Sequence, residues 1–347
     1  MKILCLVDTA NKPGDRWLWK YLPSNDDEVD FLSTLGVVDR FQKWGKLISY
    51  YPAYWRLGIR TLYRTLRNHY DLVVAWEGKN GFPYAVLRSM IGQKHPPLLI
   101  LAFNIRGPIS HFLSLARFGM RSVTRTVVFS AVEVERYQRI LSLAPEAISF
   151  CPQGWYDPLV WYDPHLVQMP EAITQAGKFI LASGRSYRDY TTLACAINDL
   201  DVKVMVSARK FNLAGIDFPN NMQSLGWLPQ REFLDFMYHC QFYIIPLQKI
   251  SQAGGDSSLI QAMSFGKAVV ATRAPSTETY IEQGVTGLLT SPGNVAEMRE
   301  AILYLWKNPQ EAARMGQEAR RRYEDYYTIE KFAQRVYTIV LEIYHAH

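Results

Sequence analysis

Short and almost wholly apolar runs alternate along this chain with segments long enough for a helix. Such runs are typical of strands buried on both faces of a parallel sheet, because a strand with one solvent-exposed face would alternate apolar and polar residues. In the first half they occur at 2–8, 71–76, 97–103, 125–130 and 147–152. In the second half they occur at 178–183, 202–207, 241–247, 268–272 and 286–290. Since parallel neighbours need a crossover connection, this rhythm predicts two Rossmann-like α/β domains in tandem.

A stretch rich in Pro and Gly separates the two halves. Residues 152–177 lack sustained periodicity and are interpreted as a linker. We therefore predict a first domain over 1–160, a second over 161–328, and a final helix within 329–347 that crosses back to the first domain. Ligands of open parallel sheets bind beyond the carboxyl ends of the strands, so the cleft between two such domains is the expected site.

Composition narrows the classes of protein. The 347 residues are 48% hydrophobic and 20% charged, which is typical of packed cores rather than of disorder, and the net charge of +6 favours anionic partners. No apolar run reaches the ~18 residues of a membrane-spanning helix, and the N-terminus reads as a buried strand rather than a signal peptide. The four cysteines are scattered without metal-binding spacing. A cytoplasmic location and no metal site are expected.

The most distinctive segment is 251–272, with the sequence SQAGGDSSLIQAMSFGKAVVAT. Gly254 and Gly255 allow backbone N–H groups to approach a ligand closely, and Ser257 and Ser258 suit the start of a helix. Unsatisfied N–H groups and the positive dipole end favour an anion such as a diphosphate there. Helix capping alone is the alternative explanation of the same residues.

A second constellation, SGRSYRDY at 183–190, directly follows a predicted strand. Arg185 stands at the carboxyl end of that strand, where its guanidinium can bind a diphosphate in a bidentate manner. Arg188 lies three residues further on and is expected to assist. An arginine on the surface of an N-cap loop is the alternative.

Further matches follow in a fixed order, namely the AMSFGKAVVAT part of the loop segment, then EQGVTGLL and Pro292-Gly293. Together with the two constellations, these residues resemble the nucleotide-sugar-binding domain of retaining GT-B glycosyltransferases, especially glycosyltransferase family 4, over 178–345. The first half resembles that family in its strand rhythm, in SAVEVERY and in ISFCPQGWYDP.

The resemblance implies roles for the donor side. The loop and helix start would hold the diphosphate of a nucleotide sugar, Arg185 would neutralise the leaving group, and Trp227 and Leu228 would face the nucleobase. Gln261 replaces the family glutamate that grips the ribose, and Ala253 replaces the one that faces the donor sugar. The full set expected to bind the donor is Gly184, Arg188, Trp227, Leu228, Gly254, Gly255, Asp256, Ser257, Ser258 and Gln261.

The acceptor side is assigned from strand ends of the first domain. Glu77, Asn104 and His111 are the catalytic candidates there beside Arg185. A solvated loop acid is the alternative for Glu77, and a position inside a helix is the alternative for His111. The reaction needs no cofactor beyond the donor, because arginines and a helix start stabilise the leaving phosphate without a metal.

Residues 40–70 are strongly basic, with seven Lys or Arg and no acid. Arg56, Arg60, Arg64 and Arg67 share one predicted helical face. The apolar cover is expected from Leu57, Leu62, Tyr63 and Leu66. Such a helix suits an anionic membrane surface. A crossover helix with a basic wet face, or an anionic glycan as ligand, are the alternatives, and no nucleic-acid-binding module is recognisable.

The resemblance thus implies a hexosyl- or related glycosyltransferase that moves a sugar from a nucleoside diphosphate to a lipid-linked or polysaccharide acceptor, retaining and independent of metal. A non-catalytic nucleotide-sugar or glycan-binding relative without the acidic pair is the alternative. Attachment to the inner face of the cell membrane is a further expectation. An NAD enzyme is disfavoured because no GxGxxG follows the first strand.

Overall fold

The computed structural model describes residues 1–7, 18–21, 26–34, 50–103, 113–160, 162–163, 170–250 and 254–347. The chain divides into two compact units. Unit 1 comprises Met1–Pro152 with Ala333–His347, and unit 2 comprises Gln153–Phe332.

Unit 1 is built on a parallel sheet of six strands in the order β2-β1-β3-β4-β5-β6. Its strands are β1 (Lys2–Val7), β2 (Glu28–Ser33), β3 (Leu72–Trp76), β4 (Leu98–Leu101), β5 (Arg125–Val128) and β6 (Ile148–Phe150). Its α-helices are Tyr50–Arg67, Gly78–Met90, Leu113–Met120, Ala131–Leu141 and most of Ile329–His345, with short 3-10 turns at Leu18–Tyr21 and Pro145–Ala147.

Unit 2 repeats the plan, with six parallel strands in the order β12-β11-β10-β7-β8-β9. Its strands are β7 (Ile180–Ser183), β8 (Val204–Ser207), β9 (Met222–Gly226), β10 (Tyr243–Ile245), β11 (Val269–Thr272) and β12 (Gly287–Thr290). Its α-helices are Glu171–Ala176, Tyr190–Ile197, Lys210–Leu213, Gln230–His239, Asp256–Ser264, Pro275–Tyr280, Val295–Lys307 and Pro309–Arg322, with a 3-10 turn at Pro158–Val160 and a π-helical turn at Tyr323–Tyr327.

The apolar runs form buried inner strands, as their composition predicts. All residues of β4 and of β10 are fully buried, because helices cover both faces of each sheet. Strand β2 was not predicted from the sequence. It lies at the edge of its sheet, and three of its six residues, Glu28, Asp30 and Ser33, are polar. All but Leu32 are at least partly exposed, so β2 lacks the unbroken apolar run of the inner strands.

The segment interpreted as a linker is anchored to unit 2 in its first part. The backbone N–H of Trp155 donates to the carbonyl of Tyr327 at 2.9 Å. The Asp157 carboxylate accepts two hydrogen bonds from the Arg320 guanidinium, at 3.0 and 2.6 Å. This chain of polar contacts fixes 153–157 against the end of the Pro309–Arg322 helix.

The C-terminal helix carries the chain from unit 2 to unit 1. Beyond Phe332 its contacts are with unit 1, as the sequence analysis expected of a returning helix. The Tyr337 hydroxyl donates to Asp27 at 3.0 Å, and the Arg335 guanidinium donates to the Pro152 carbonyl at 3.1 Å. None of the helices in the described ranges is long and apolar enough to cross a lipid bilayer.

Candidate functional site

The candidate site lies in unit 2, where the carboxyl end of β7 meets the first turn of the Asp256–Ser264 helix. Gly184 follows β7 with φ of +117°, a backbone conformation that side chains rarely allow. A Cβ at this position would lie 2.3 Å from Nη2 of Arg188. Glycine is therefore required here both by the backbone and by the packing of the arginine.

Arg188 ties the two elements together. Its side chain is 92% buried, with a relative exposure of 8%. Nε donates to the Ser183 carbonyl at 2.8 Å, Nη1 to the Ser186 carbonyl at 2.9 Å, and Nη2 to the Ser258 hydroxyl at 2.9 Å. The last bond joins residues 70 positions apart in sequence. Arg188 thus acts as an internal brace, in contrast to its expected role as a second diphosphate ligand.

Arg185 has the opposite character. Its side chain is exposed, and within the described residues its guanidinium makes no hydrogen bond or ion pair. Its backbone is nevertheless fixed, because the carbonyl accepts a hydrogen bond from the Asn212 amide at 2.7 Å. A cationic group on an anchored loop, free of internal partners in the described part of the chain, is suited to binding an anion.

The glycine pair shapes the helix start. Gly255 precedes the helix with φ of +89°. The Gly254 backbone is held on both sides by one hydroxyl, since its N–H donates to Ser276 Oγ at 3.1 Å and its carbonyl accepts from the same hydroxyl at 2.6 Å. Ser258 Oγ donates to the Gly255 carbonyl at 3.0 Å, whereas Ser257 is exposed. The first N–H groups of a helix lack intrahelical partners, so this turn offers donors to a ligand.

Asp256 introduces a negative charge at this helix start. Its Oδ1 is buried and has no hydrogen-bond partner among the described residues. Burial raises the pKa of the Asp256 carboxyl from 3.8 to about 6, although Ser276 and the charge of Arg188 act in the opposite direction. The side chain is therefore poorly solvated when ionised.

Two more residues of the predicted donor set belong to unit 2. Gln261 is buried on the Asp256–Ser264 helix, and its side-chain amide makes no hydrogen bond within the described ranges. Trp227 is 54% exposed just after β9, with the Arg209 guanidinium carbon 5.3 Å from its ring centroid. An exposed indole backed by an arginine is suited to stacking on a planar base.

Leu228 is fixed through its backbone, because its N–H donates to Ser207 Oγ at the end of β8 at 3.4 Å.

Two tyrosine hydroxyls form hydrogen bonds at the carboxyl end of β7, and the sequence did not predict either of them. The Tyr190 hydroxyl donates to the Gly184 carbonyl at 2.8 Å, and the Tyr243 hydroxyl bonds Ser183. Burial raises the pKa of both phenols, so they stay neutral.

Sequence reasoning missed three supporting residues, namely Ser276, Tyr190 and Tyr243. Each is a common residue type inside an otherwise ordinary helix or strand, so no local pattern indicates its role. Strand β10 pairs in parallel with β7, so knowledge of this strand order would have indicated that Tyr243 lies close to the end of β7.

The acceptor-side candidates belong to unit 1 or lie outside the described residues. Glu77 directly follows β3 with φ of +66°, an unfavourable conformation for a residue with a side chain. Its carboxylate pairs with Lys79 Nζ at 2.8 Å. Asn104 and His111 fall outside the described residues, as does Ala253 on the donor side. Within the described ranges, no three His, Cys, Asp or Glu side chains gather as a metal site would require.

Comparison with known structures defines the class of fold. The whole chain superposes on HepE from Anabaena in complex with UDP, with a TM-score of 0.70, 16% identity, and coverage of 99% of this chain and 100% of the other. It also superposes on a sucrose-phosphate synthase from Thermosynechococcus elongatus, with a TM-score of 0.73, 13% identity, and coverage of 100% of both chains. The predicted GT-B fold class is confirmed.

Comparison of sequences finds similarity over part of the chain. Residues 213–322 match the model of the family described as glycosyl transferases group 1. A curated relative, D-rhamnosyltransferase WbpZ of Pseudomonas aeruginosa, is 26% identical over 153 residues, which is 44% of this chain and 38% of the relative. The resemblance to GT-B glycosyltransferases drawn from the sequence is thereby confirmed.

Proposed function

We propose that this protein is a glycosyltransferase that takes its sugar from a nucleoside diphosphate bound in unit 2. The observation that carries the proposal is the joining of the Arg185 loop to the first turn of the Asp256–Ser264 helix by the buried Arg188. That brace places an exposed guanidinium and a set of helix N–H donors on one connected framework. A diphosphate needs this combination of a cation and directed donors.

The base and ribose would extend from the diphosphate along unit 2. Trp227 would stack on the base, and the Gln261 amide, which can both donate and accept, would bind the ribose hydroxyls. HepE was solved with UDP and with UDP-glucose, so uridine nucleotides are the first donors to test. The curated relative is a rhamnosyltransferase, so a nucleotide-linked deoxyhexose is the second.

The chemistry we propose is retaining and independent of metal. The bond between the anomeric carbon and the leaving phosphate breaks, the acceptor oxygen forms a bond to that carbon, and the acceptor proton passes to a phosphate oxygen. Arg185 and the helix start stabilise the charge that develops on the leaving diphosphate. Glu77, Asn104 and His111 remain proposals for the acceptor side.

The acceptor we propose is a lipid-linked glycan or a polysaccharide, and the alternative function is binding without catalysis. The replacement of the two family glutamates by Ala253 and Gln261 favours that alternative, because neither side chain carries a charge. Release of nucleoside diphosphate from a panel of sugar nucleotides, with and without membrane lipid, distinguishes the two. Tight donor binding with no turnover of any donor would support the binding protein.

The test of the donor site is Arg185→Ala. We expect it to weaken binding of nucleoside diphosphate, measured by calorimetry, by about ten-fold or more, which is about 1.4 kcal/mol. Arg231→Ala is the matched control, since Arg231 is also exposed in unit 2 but lies on the Gln230–His239 helix. Equal affinity of the two variants would remove Arg185 from the site.

A further inference from the structure

We propose that one face of the Tyr50–Arg67 helix in unit 1 is a contact surface for an anionic lipid bilayer. We call it the arginine face and define it as Arg56, Ile59, Arg60, Tyr63, Leu66 and Arg67. The proposal stands on this helix alone and does not depend on the activity proposed for unit 2.

The arginine face is solvent-exposed along its whole length. Ile59, Tyr63 and Leu66 have relative exposures of 56%, 55% and 62%, and Arg56, Arg60 and Arg67 are exposed too. The spacing of three and four residues places the six side chains on one side of the helix. Large apolar side chains thus alternate with cations on a surface that faces solvent. A helix that served only to pack against the sheet would not need exposed apolar side chains there.

The opposite side of the same helix is the one that packs on unit 1. Leu57 and Thr61 are buried there, and a Cβ at Gly58 would lie 2.9 Å from the backbone of Pro83 on the Gly78–Met90 helix. The core contact is therefore complete without the arginine face. Of the residues expected to form the apolar cover of this helix, Leu57 is buried against unit 1, whereas Tyr63 and Leu66 are exposed on the arginine face.

The charges of the arginine face differ in their partners. Arg64, which the sequence analysis grouped with the others, pairs with Asp30 at 3.1 Å and is removed from the set. Arg56 and Arg60 have no acidic partner within the described residues, and the Arg67 guanidinium lies 4.2 Å from the ring centroid of Tyr63. Three guanidinium groups without an acidic partner in the described part of the chain favour a partner that carries a dense negative charge.

The apolar side chains decide which polyanion fits. A nucleic acid or a sulfated polysaccharide would satisfy the arginines but leave Ile59 and Leu66 in water. An acidic bilayer satisfies both groups, because arginines pair with lipid phosphates while the apolar side chains enter the boundary of the acyl region. The arrangement is that of a helix lying in the plane of the membrane surface.

The experiment is sedimentation of the full-length protein with vesicles at low salt. We expect binding to vesicles of phosphatidylcholine with phosphatidylglycerol and none to phosphatidylcholine alone. Each arginine near an acidic surface contributes about five-fold to the partition coefficient, so Arg56→Gln, Arg60→Gln and Arg67→Gln together should lower it by about 100-fold. A matched triple variant, Lys94→Gln, Arg231→Gln and Lys331→Gln, removes the same charge from exposed positions outside the helix and should retain most of the binding.

A second variant tests the apolar part of the arginine face. Ile59→Ser with Leu66→Ser keeps every charge, and we expect it to lose at least ten-fold in partition coefficient. Equal losses in the two triple variants, or wild-type binding to heparin without binding to acidic vesicles, would overturn the proposal. Circular dichroism confirms that each variant is folded, and since all the changed residues are exposed we expect no loss of structure.

Discussion

The buried carboxyl of Asp256 makes the stability of unit 2 depend on pH in an unusual direction. Its pKa is raised in the folded protein from 3.8 to about 6 by burial. Between these two values the folded state holds a proton that the unfolded state has lost. Stability therefore falls as the pH rises through this window and is level above it, as far as this group is concerned.

The magnitude follows from the difference in pKa. Each pKa unit corresponds to about 1.4 kcal/mol, so the ionised carboxylate costs about 3 kcal/mol at neutral pH relative to its protonated form. Asp256→Asn mimics the protonated form at every pH. We expect the variant to be more stable than the wild type by about 3 kcal/mol above pH 6, with a gain in Tm of roughly 6 to 12 °C, and to match it near pH 4.

The assay is urea unfolding and calorimetry of the two proteins from pH 4 to pH 8. The difference in free energy of unfolding between the two proteins cancels the contributions of all other titrating groups. Asp201→Asn, a change at an exposed aspartate of unit 2, measures the effect of net charge alone. A difference that stays constant across this pH range, or an Asp256→Asn variant that is less stable at pH 8, would refute the reasoning.

Two further substitutions test the packing of unit 2. Arg188→Leu leaves the carbonyls of Ser183 and Ser186 without the guanidinium that donates to them. We expect the free energy of unfolding in urea to fall by about 3 kcal/mol and the binding of nucleoside diphosphate to weaken, and unchanged stability would contradict the role of brace. Gly316→Ala would bring a Cβ to 2.0 Å from the Gly266 carbonyl, and we expect a loss of about 2 kcal/mol, whereas the exposed Gln317→Ala on the same helix should change stability by less than about 0.5 kcal/mol.

Much of the architecture could be read from the sequence because its signals are local. An inner strand of a parallel sheet is an unbroken apolar run. The start of a helix is likewise indicated within a few residues, here by Gly254, Gly255 and the two serines that follow. The edge strand β2 escaped prediction for the same reason, since an edge position permits polar residues that leave no such run. The arginine loop at 183–190 was located correctly at the carboxyl end of β7.

The tertiary structure alone decided what individual side chains do. Arg185 and Arg188 look alike in sequence, yet one is exposed and the other is buried against Ser258, because strand order brings a helix start 70 residues away to the end of β7. Arg64 leaves the arginine face because Asp30 on the edge strand lies beside it. The sequence determined which segments form most of the strands and helices and where a glycine-rich loop precedes a helix, since these depend on near neighbours. Charge pairing, burial and the raised pKa of Asp256 depend on groups distant in the chain, and only the fold brings those together.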